Sequence, residues 1–513
     1  MGTGRTRWVG LEGVRPSTPS SLARTRATEN PWQTATPPAV RATAYILSWR
    51  QESSEQVTED GPMATTERFT ELIPTPPDFP ITFASAADAR RWWQPDLARY
   101  PAPARPLEFA FIERGVEQGF NAALAAYGIP ARVAVRRFNT YVYHAIEVGP
   151  RTMADGDELA AGIQRAEAAL PGLGARWRSS FLPDIERHLA FWRGFVLRRA
   201  PLAALRAHLD ETAMRAARLA EIRAAVSIPA SLALAGFETA CRARPEGCDA
   251  TALLDGCDEP ALAADAGLRR LVRHARVVPY VREALTWCAP HEALYVLERS
   301  QPGRDFLGAL YSFLEQYGRA GDPPGLLAAP SRLEDPAPVF HTLREYLAQP
   351  DVDPAAASAA LVGRREAQTL EIRRALRQGP RDVARAFEAR LRAAREAAAL
   401  RGELAHWLDG HATNAVRRVL LEGGRRLFIA GALDHPADVF YLTFEELRAI
   451  AAHPARFVLD GLIAARRNEV EHFRAITPAP AAGMRPAAPA SGHCASWLGH
   501  DHTLGMIQAL RFI

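Results

Sequence analysis

The chain is poor in the side chains that carry out nucleotide and covalent chemistry. All 62 of its Lys and Arg residues are arginine. A phosphate-binding loop of the G-x-x-x-x-G-K-[ST] type needs a lysine ammonium, and Schiff-base chemistry needs a lysine amine. A GC-rich coding sequence accounts for the bias, but the consequence holds whatever the cause: arginine keeps the charge, yet its planar fork and fixed protonation replace lysine poorly. No G-x-S-x-G elbow, H-E-x-x-H pair or strand-linked G-x-G-x-x-G occurs.

The remaining candidates are sparse. Cys241, Cys248 and Cys257 cluster, but their gaps of six and eight residues do not fit a zinc knuckle or ribbon. His144 with Glu147, and His291 with Glu292, read as ordinary polar positions. His406 and His411 lie five apart with Asp409 between them, and a polar helix end explains them better than a metal site. His493, in the run ASGHCASW, lacks the surroundings of a phosphate carrier. Trp92, Trp93, Trp177 and Trp192 read as core or interdomain anchors. Arg417, Arg418, Arg425 and Arg426 read as a solvated helix face or a docking surface. No metal is expected on this chain.

The elements that would position these groups are mainly helical. An apolar fraction of 48% and a charged fraction of 23% describe a globular chain with a sizeable core. A net charge of +4 over 513 residues argues against nucleic-acid or membrane-surface partners. Five sparse cysteines, no run of 18 apolar residues and no leader-like segment point to a reducing cytoplasm. Residues 1–62, rich in Ser, Thr, Pro and Arg, read as a disordered extension, and residues 63–154 as a small α+β entry region. Within that region Ser85 is expected to cap a short helix. PLEFAFIERGVEQGFNAALAAYGI reads as a helix, and ARVAVRRFNTYVYHAIEVGP as a strand or hairpin. Residues 155–478 repeat apolar positions at i, i+3, i+4 and i+7 and form a helical domain. Pro171, Pro183, Pro201 and Pro229 suit helix starts there. Helices over 380–408 and 410–431, with Gly410 near the break, suggest a long antiparallel hairpin. Residues 479–513 read as a linker-like tail.

Three stretches then resemble one family. AREAAALRGELAHWLDGHATNAVRRVLLEGGRRLFIAGALDHPADVFYLTFEEL is similar to the end of the central helical domain of phosphoenolpyruvate-utilising phosphotransferases, the phosphoenolpyruvate synthase-like and rifampicin phosphotransferase-like enzymes. FLEQYGRAG followed by LEDPAPVFHTLREYL, and FPITFASAADARRWWQPDLARYPAPARPLEF, agree with it. The last resembles the opening of a subgroup, including phenylphosphate synthase, whose ATP-binding half is a separate chain. Such systems combine an ATP-grasp part, a swivelling phosphohistidine carrier and an acceptor site.

The resemblance implies that this chain is the acceptor-binding helical component and is inactive alone. ATP and Mg would belong to an ATP-grasp and phosphohistidine-carrying partner, and the acceptor would be a small hydroxylated compound. Tyr317 and Arg319, with Arg401 and Glu403, are the pocket residues it suggests; no catalytic residue is assigned. Arg319 stands where many relatives have His, and Gly402 interrupts their Leu-Arg-Glu. The alternative is a non-catalytic helical binding or interaction protein, a degenerate or truncated relative.

Overall fold

The computed structural model describes residues 72–148, 153–243, 248–451 and 458–484. The expected N-terminal extension, His493 and most of the expected tail lie outside them.

Local sequence sets the entry region. Ser85 Oγ accepts the Asp88 amide at 3.0 Å and starts α1 (Ala86–Arg90), which leads into β1 (Trp92–Pro95). Helices α2 (Pro106–Arg114) and α3 (Asn121–Ala126) are joined by a π-helical stretch, Gly115–Phe120. The alternating segment forms the expected hairpin, β2 (Ala131–Phe138) with β3 (Tyr141–Val148), in a register that faces Phe138 with Tyr141. Its two turn residues, Asn139 and Thr140, have φ of 46° and 71°, as a two-residue turn matched to strand twist requires.

The helical body follows. A helix α4 (Met153–Arg176) runs through a second π stretch, Trp177–Phe181, into α5 (Leu182–Gly194), and α6 (Leu202–Arg242) comes next. A satellite of shorter helices, α7 (Glu259–Val277), α8 (Pro279–Trp287), α9 (Pro290–Glu298), α10 (Gln301–Tyr317) and α11 (Ala337–Ala348), buries its own apolar cluster around Phe306 and Phe340. Then α12 (Pro354–Leu376) turns back into α13 (Arg381–Leu404). A third π stretch, Ala405–Ala412, carries the chain into α14 (Thr413–Ile429), and α15 (Phe444–Ile450) and α16 (Asp460–Arg474) close the body.

A short strand, β4 (Ala482–Gly483), returns to β1, giving the antiparallel order β2-β3-β1-β4. Residues 479–484 of the expected tail are thus packed: Ala479 and Ala482 are buried with Phe79, Trp93 and Tyr143, whose hydroxyl donates to the Ala479 carbonyl at 2.7 Å. A bridge pairs Leu72 with Met484.

The mainly α class with a small α+β N-terminal portion is as expected, but several boundaries differ. Pro171 and Pro229 lie inside α4 and α6 rather than at helix starts. A proline within a helix costs about 3 kcal/mol; Pro229 is buried among apolar neighbours that offset it. Gly410 makes no break, because the π stretch keeps residues 381–429 helical. The long antiparallel pairing is instead between α6 and α13, where Phe237 meets Phe387 at 5.8 Å, while farther along the same ridge Arg223 meets Asp409. Three of the four paired arginines are held in ion pairs, and Arg417 is buried. Arg417 bonds Glu334 and the Leu327 carbonyl, and Arg425 and Arg426 both bond Glu422; Arg418 is exposed. Trp93, Trp177 and Trp192 are buried, and Trp92 is 38% exposed. Against expectation, α6 is long and apolar enough to cross a bilayer, but half of that stretch is buried in the body, as in a core helix.

Candidate functional site

Two of the three π stretches line one cavity beside α6. A π turn adds one residue to a helical turn and shifts which side chains share a face; such insertions concentrate at functional sites. Gly115, Val116 and Phe120 from one stretch, and Leu408, Asp409 and Ala412 from the other, line a cavity of about 150 Å³. Phe111, Leu219, Leu327 and Val416 complete an apolar wall.

Five polar groups converge on that wall. Arg223, from α6, forms an ion pair with Asp409, and 18% and 20% of their side chains are exposed, so a ligand entering the cavity reaches both. Gly325, at φ +82°, comes so close that an added Cβ would stand 2.8 Å from the Asp409 carboxylate. Burial opposes the Arg99 charge, but Tyr100, Asp409 and Asp96 outweigh it and raise its pKa. Burial and the nearby Arg99 lower that of Arg223 despite Asp409. Glu108 is 4% exposed, and burial pushes its carboxyl up, although the Ala328 amide donates to it at 3.0 Å. Burial raises the Tyr100 hydroxyl as well. The cavity therefore brings together two guanidinium groups, the carboxyl groups of Asp409 and Glu108, and the Tyr100 hydroxyl.

The opposite face of the third π stretch carries a different group. His406 and His411 would diverge on an α-helix; the π turn brings their rings to 4.8 Å, with Trp407 5.2 Å from each. The His411 pKa is pushed down to about 4 by burial, then by His406, Arg319 and Arg193. Burial lowers that of His406 too.

Three of the residues suggested by resemblance gather on this face. The Tyr317 ring lies 6.3 Å from His406, and Glu403 accepts the indole N–H groups of Trp407 at 3.1 Å and Trp177 at 3.3 Å. Arg319 donates Nε to the Glu315 carbonyl at 2.9 Å. Arg401 is exposed and does not join them. Gly402 is explained by packing: a Cβ there would fall 2.2 Å from the Asp258 carboxylate, which caps α7 by accepting the Ala261 amide. Among the described residues no group of three or more His, Cys, Asp or Glu is placed to hold a metal, and Cys241 and Cys248, with Sγ atoms 2.9 Å apart, are part of an apolar cluster with Phe237 and Phe387.

The sequence reading missed Arg99, Glu108 and Arg223, and noted Asp409 only as a spacer. The available signals were weak: an arginine within the apolar run of α6, an acid within AHWLDGHA, and a glycine after two prolines at 323–325.

Residues 202–402, from the start of α6 to near the end of α13, match the rifampicin phosphotransferase fourth domain. The match bears out the resemblance to phosphoenolpyruvate-utilising enzymes. The chain is also similar to a chondramide synthase of Chondromyces crocatus, 32% identical over 437 residues, which cover 82% of this chain and 11% of the synthase.

Proposed function

We propose that this chain binds the phosphoryl acceptor in a phosphotransfer system of the rifampicin phosphotransferase type. ATP, Mg and the phosphohistidine belong, in this reading, to parts supplied by a partner or by other domains, acting in the cytoplasm. The observation that carries it is the cavity with Arg223 and Asp409 set into an apolar wall. Its volume suits one aromatic ring, and a carboxylate beside two arginines suits a ring hydroxyl that gives up its proton on transfer.

Calorimetry with small phenols tests the reading. One phenol should bind per chain, and Asp409→Asn should weaken it about tenfold, a loss of about 1.4 kcal/mol. Absence of saturable binding by any single-ring phenol would sink it. The purified chain should also take no label from γ- or β-labelled ATP.

A second reading, a non-catalytic helical binding module, is favoured by the similarity to a much larger synthase, of which the matching region is 11%. Phenol binding that persists while no reconstituted ATP-binding and carrier component phosphorylates the phenol would select it.

A further inference from the structure

The segment that enters the satellite packs against the body in a small apolar cluster. Phe237 and Cys241 from the end of α6, Leu376 from α12, Phe387 and Leu391 from α13, and Leu253 from the entering segment are buried together there. Two thiols meet in this cluster. Cys241, in the last turn of α6, is 1% exposed, and Cys248 is half-buried. The Cys248 thiol donates to Cys241 Sγ at 2.9 Å. A disulfide joins its sulfurs at about 2.05 Å, so an approach of less than about 1 Å separates contact from bond. The backbone on both sides is held: Cys241 belongs to a helical turn, and Asp249, next to Cys248, accepts the amides of Thr251 at 2.9 Å and Ala252 at 3.2 Å. A thiolate metal site needs further ligands, and among the described residues no third Cys, His, Asp or Glu joins the pair.

We propose that Cys241 and Cys248 form a redox-active dithiol site, oxidised to an intramolecular disulfide by low-molecular-weight disulfides of the glutathione type. Only Cys248 reaches solvent, so it reacts first. Its thiolate attacks one sulfur of the oxidant, a mixed disulfide forms, and one small thiolate leaves. Cys241 then loses its proton, attacks Cys248 Sγ and expels the second small thiolate. Two electrons pass from the protein to the oxidant, and the two protein thiol protons end on the two released thiols. In a reducing compartment such a bond is transient, made under oxidation and undone after it. It fastens the last turn of α6 to the segment that leads into α7, where both pack on α13. The pair lines no part of the cavity, so the site stands whether or not the cavity binds an acceptor.

The test is treatment of the native full chain with glutathione disulfide, followed by alkylation, proteolysis and mass spectrometry. Two of the five thiols should become protected from alkylation, with the Cys241 and Cys248 peptides joined and dithiothreitol restoring both. Cys241→Ala should trap a glutathione adduct on Cys248 that wild type does not retain. Cys248→Ser should leave Cys241 as a thiol, because no oxidant reaches it. Cys257→Ser, at a sulfur that accepts from Arg365 Nη1 at 3.4 Å, should leave the joined pair unchanged. In urea Cys248 should pair with Cys257 as readily as with Cys241, since the two gaps in sequence are similar. The wild-type mapping needs no variant to fold. The proposal is overturned if wild type keeps the adduct on Cys248, if Cys257 or Cys288 is oxidised ahead of the pair, or if the native chain prefers Cys241 no more than the chain in urea does.

Discussion

Arg223 and Asp409, 186 residues apart in sequence, meet side chain to side chain at the cavity. Their contact ties α6 to the π turn that follows α13, and it is the one direct ion pair between those two elements' cavity faces among the described residues. Removing one member leaves a charge in a largely dry site. Arg223→Ala or Asp409→Ala should therefore each cost about 3 kcal/mol in chemical denaturation, and the double variant less than the sum. Strict additivity would show that the two side chains do not interact in solution.

Glu108 should behave as a carboxyl that prefers to be neutral. Burial raises its folded pKa above the unfolded value, so the native state holds the proton more tightly. Stability from this group is complete below the ordinary glutamate pKa and is lost as pH rises above it through the raised folded pKa. Glu108→Gln keeps the acceptor for the Ala328 amide and removes the titration. Its stability relative to wild type should rise with pH, as read from urea midpoints at pH 4 to 8. A pH-independent difference would mean that Glu108 is ordinarily ionised.

His208 has the opposite sign. It is sandwiched between Phe191 and Phe195, with ring centroids 4.5 and 3.8 Å away, and its pKa is pushed down to about 4 by burial and Arg215. The unfolded chain takes up the proton first, so stability is complete above the ordinary histidine pKa and is lost as pH falls toward 4. His411 adds to the same window. His208→Phe should flatten the stability profile between those limits by about 2 kcal/mol, after allowance for partial solvation. An unchanged slope in thermal melts would remove His208 as a cause of acid sensitivity.

Gly402 invites a substitution that propensity alone would favour. Alanine improves a helix interior by about 1 kcal/mol, yet here its Cβ would stand 2.2 Å from the Asp258 carboxylate. Gly402→Ala should destabilise the protein by about 2 kcal/mol as the α7 cap is displaced, and Asp258→Ala in the same chain should recover part of the loss. A stabilised Gly402→Ala single variant would contradict the packing.

What the sequence made legible was periodicity. The hairpin at 131–148 was readable because alternation and its β-branched and aromatic residues point the same way. The helical body was readable from its apolar stripes. Boundaries were not, since Pro229 and Gly410 mark stops locally while burial and an inserted π residue carry the helix through. Family likeness drew Tyr317, Arg319 and Glu403 to one face, but the cavity was invisible because Arg99 and Glu108, Arg223, and Asp409 come from three distant segments. No local pattern announces an ion pair whose members are 186 residues apart.

The bridge between Leu72 and Met484 has a consequence for architecture. The backbone enters and leaves this body at neighbouring points on one sheet edge, Ile73 donating to the Gly483 carbonyl at 2.9 Å. A module with adjoining ends can be spliced into a host polypeptide as a side pod, displacing its flanking segments by no more than a loop does. Its register in the host is then set by a single doorway of β pairing rather than by two separated seams.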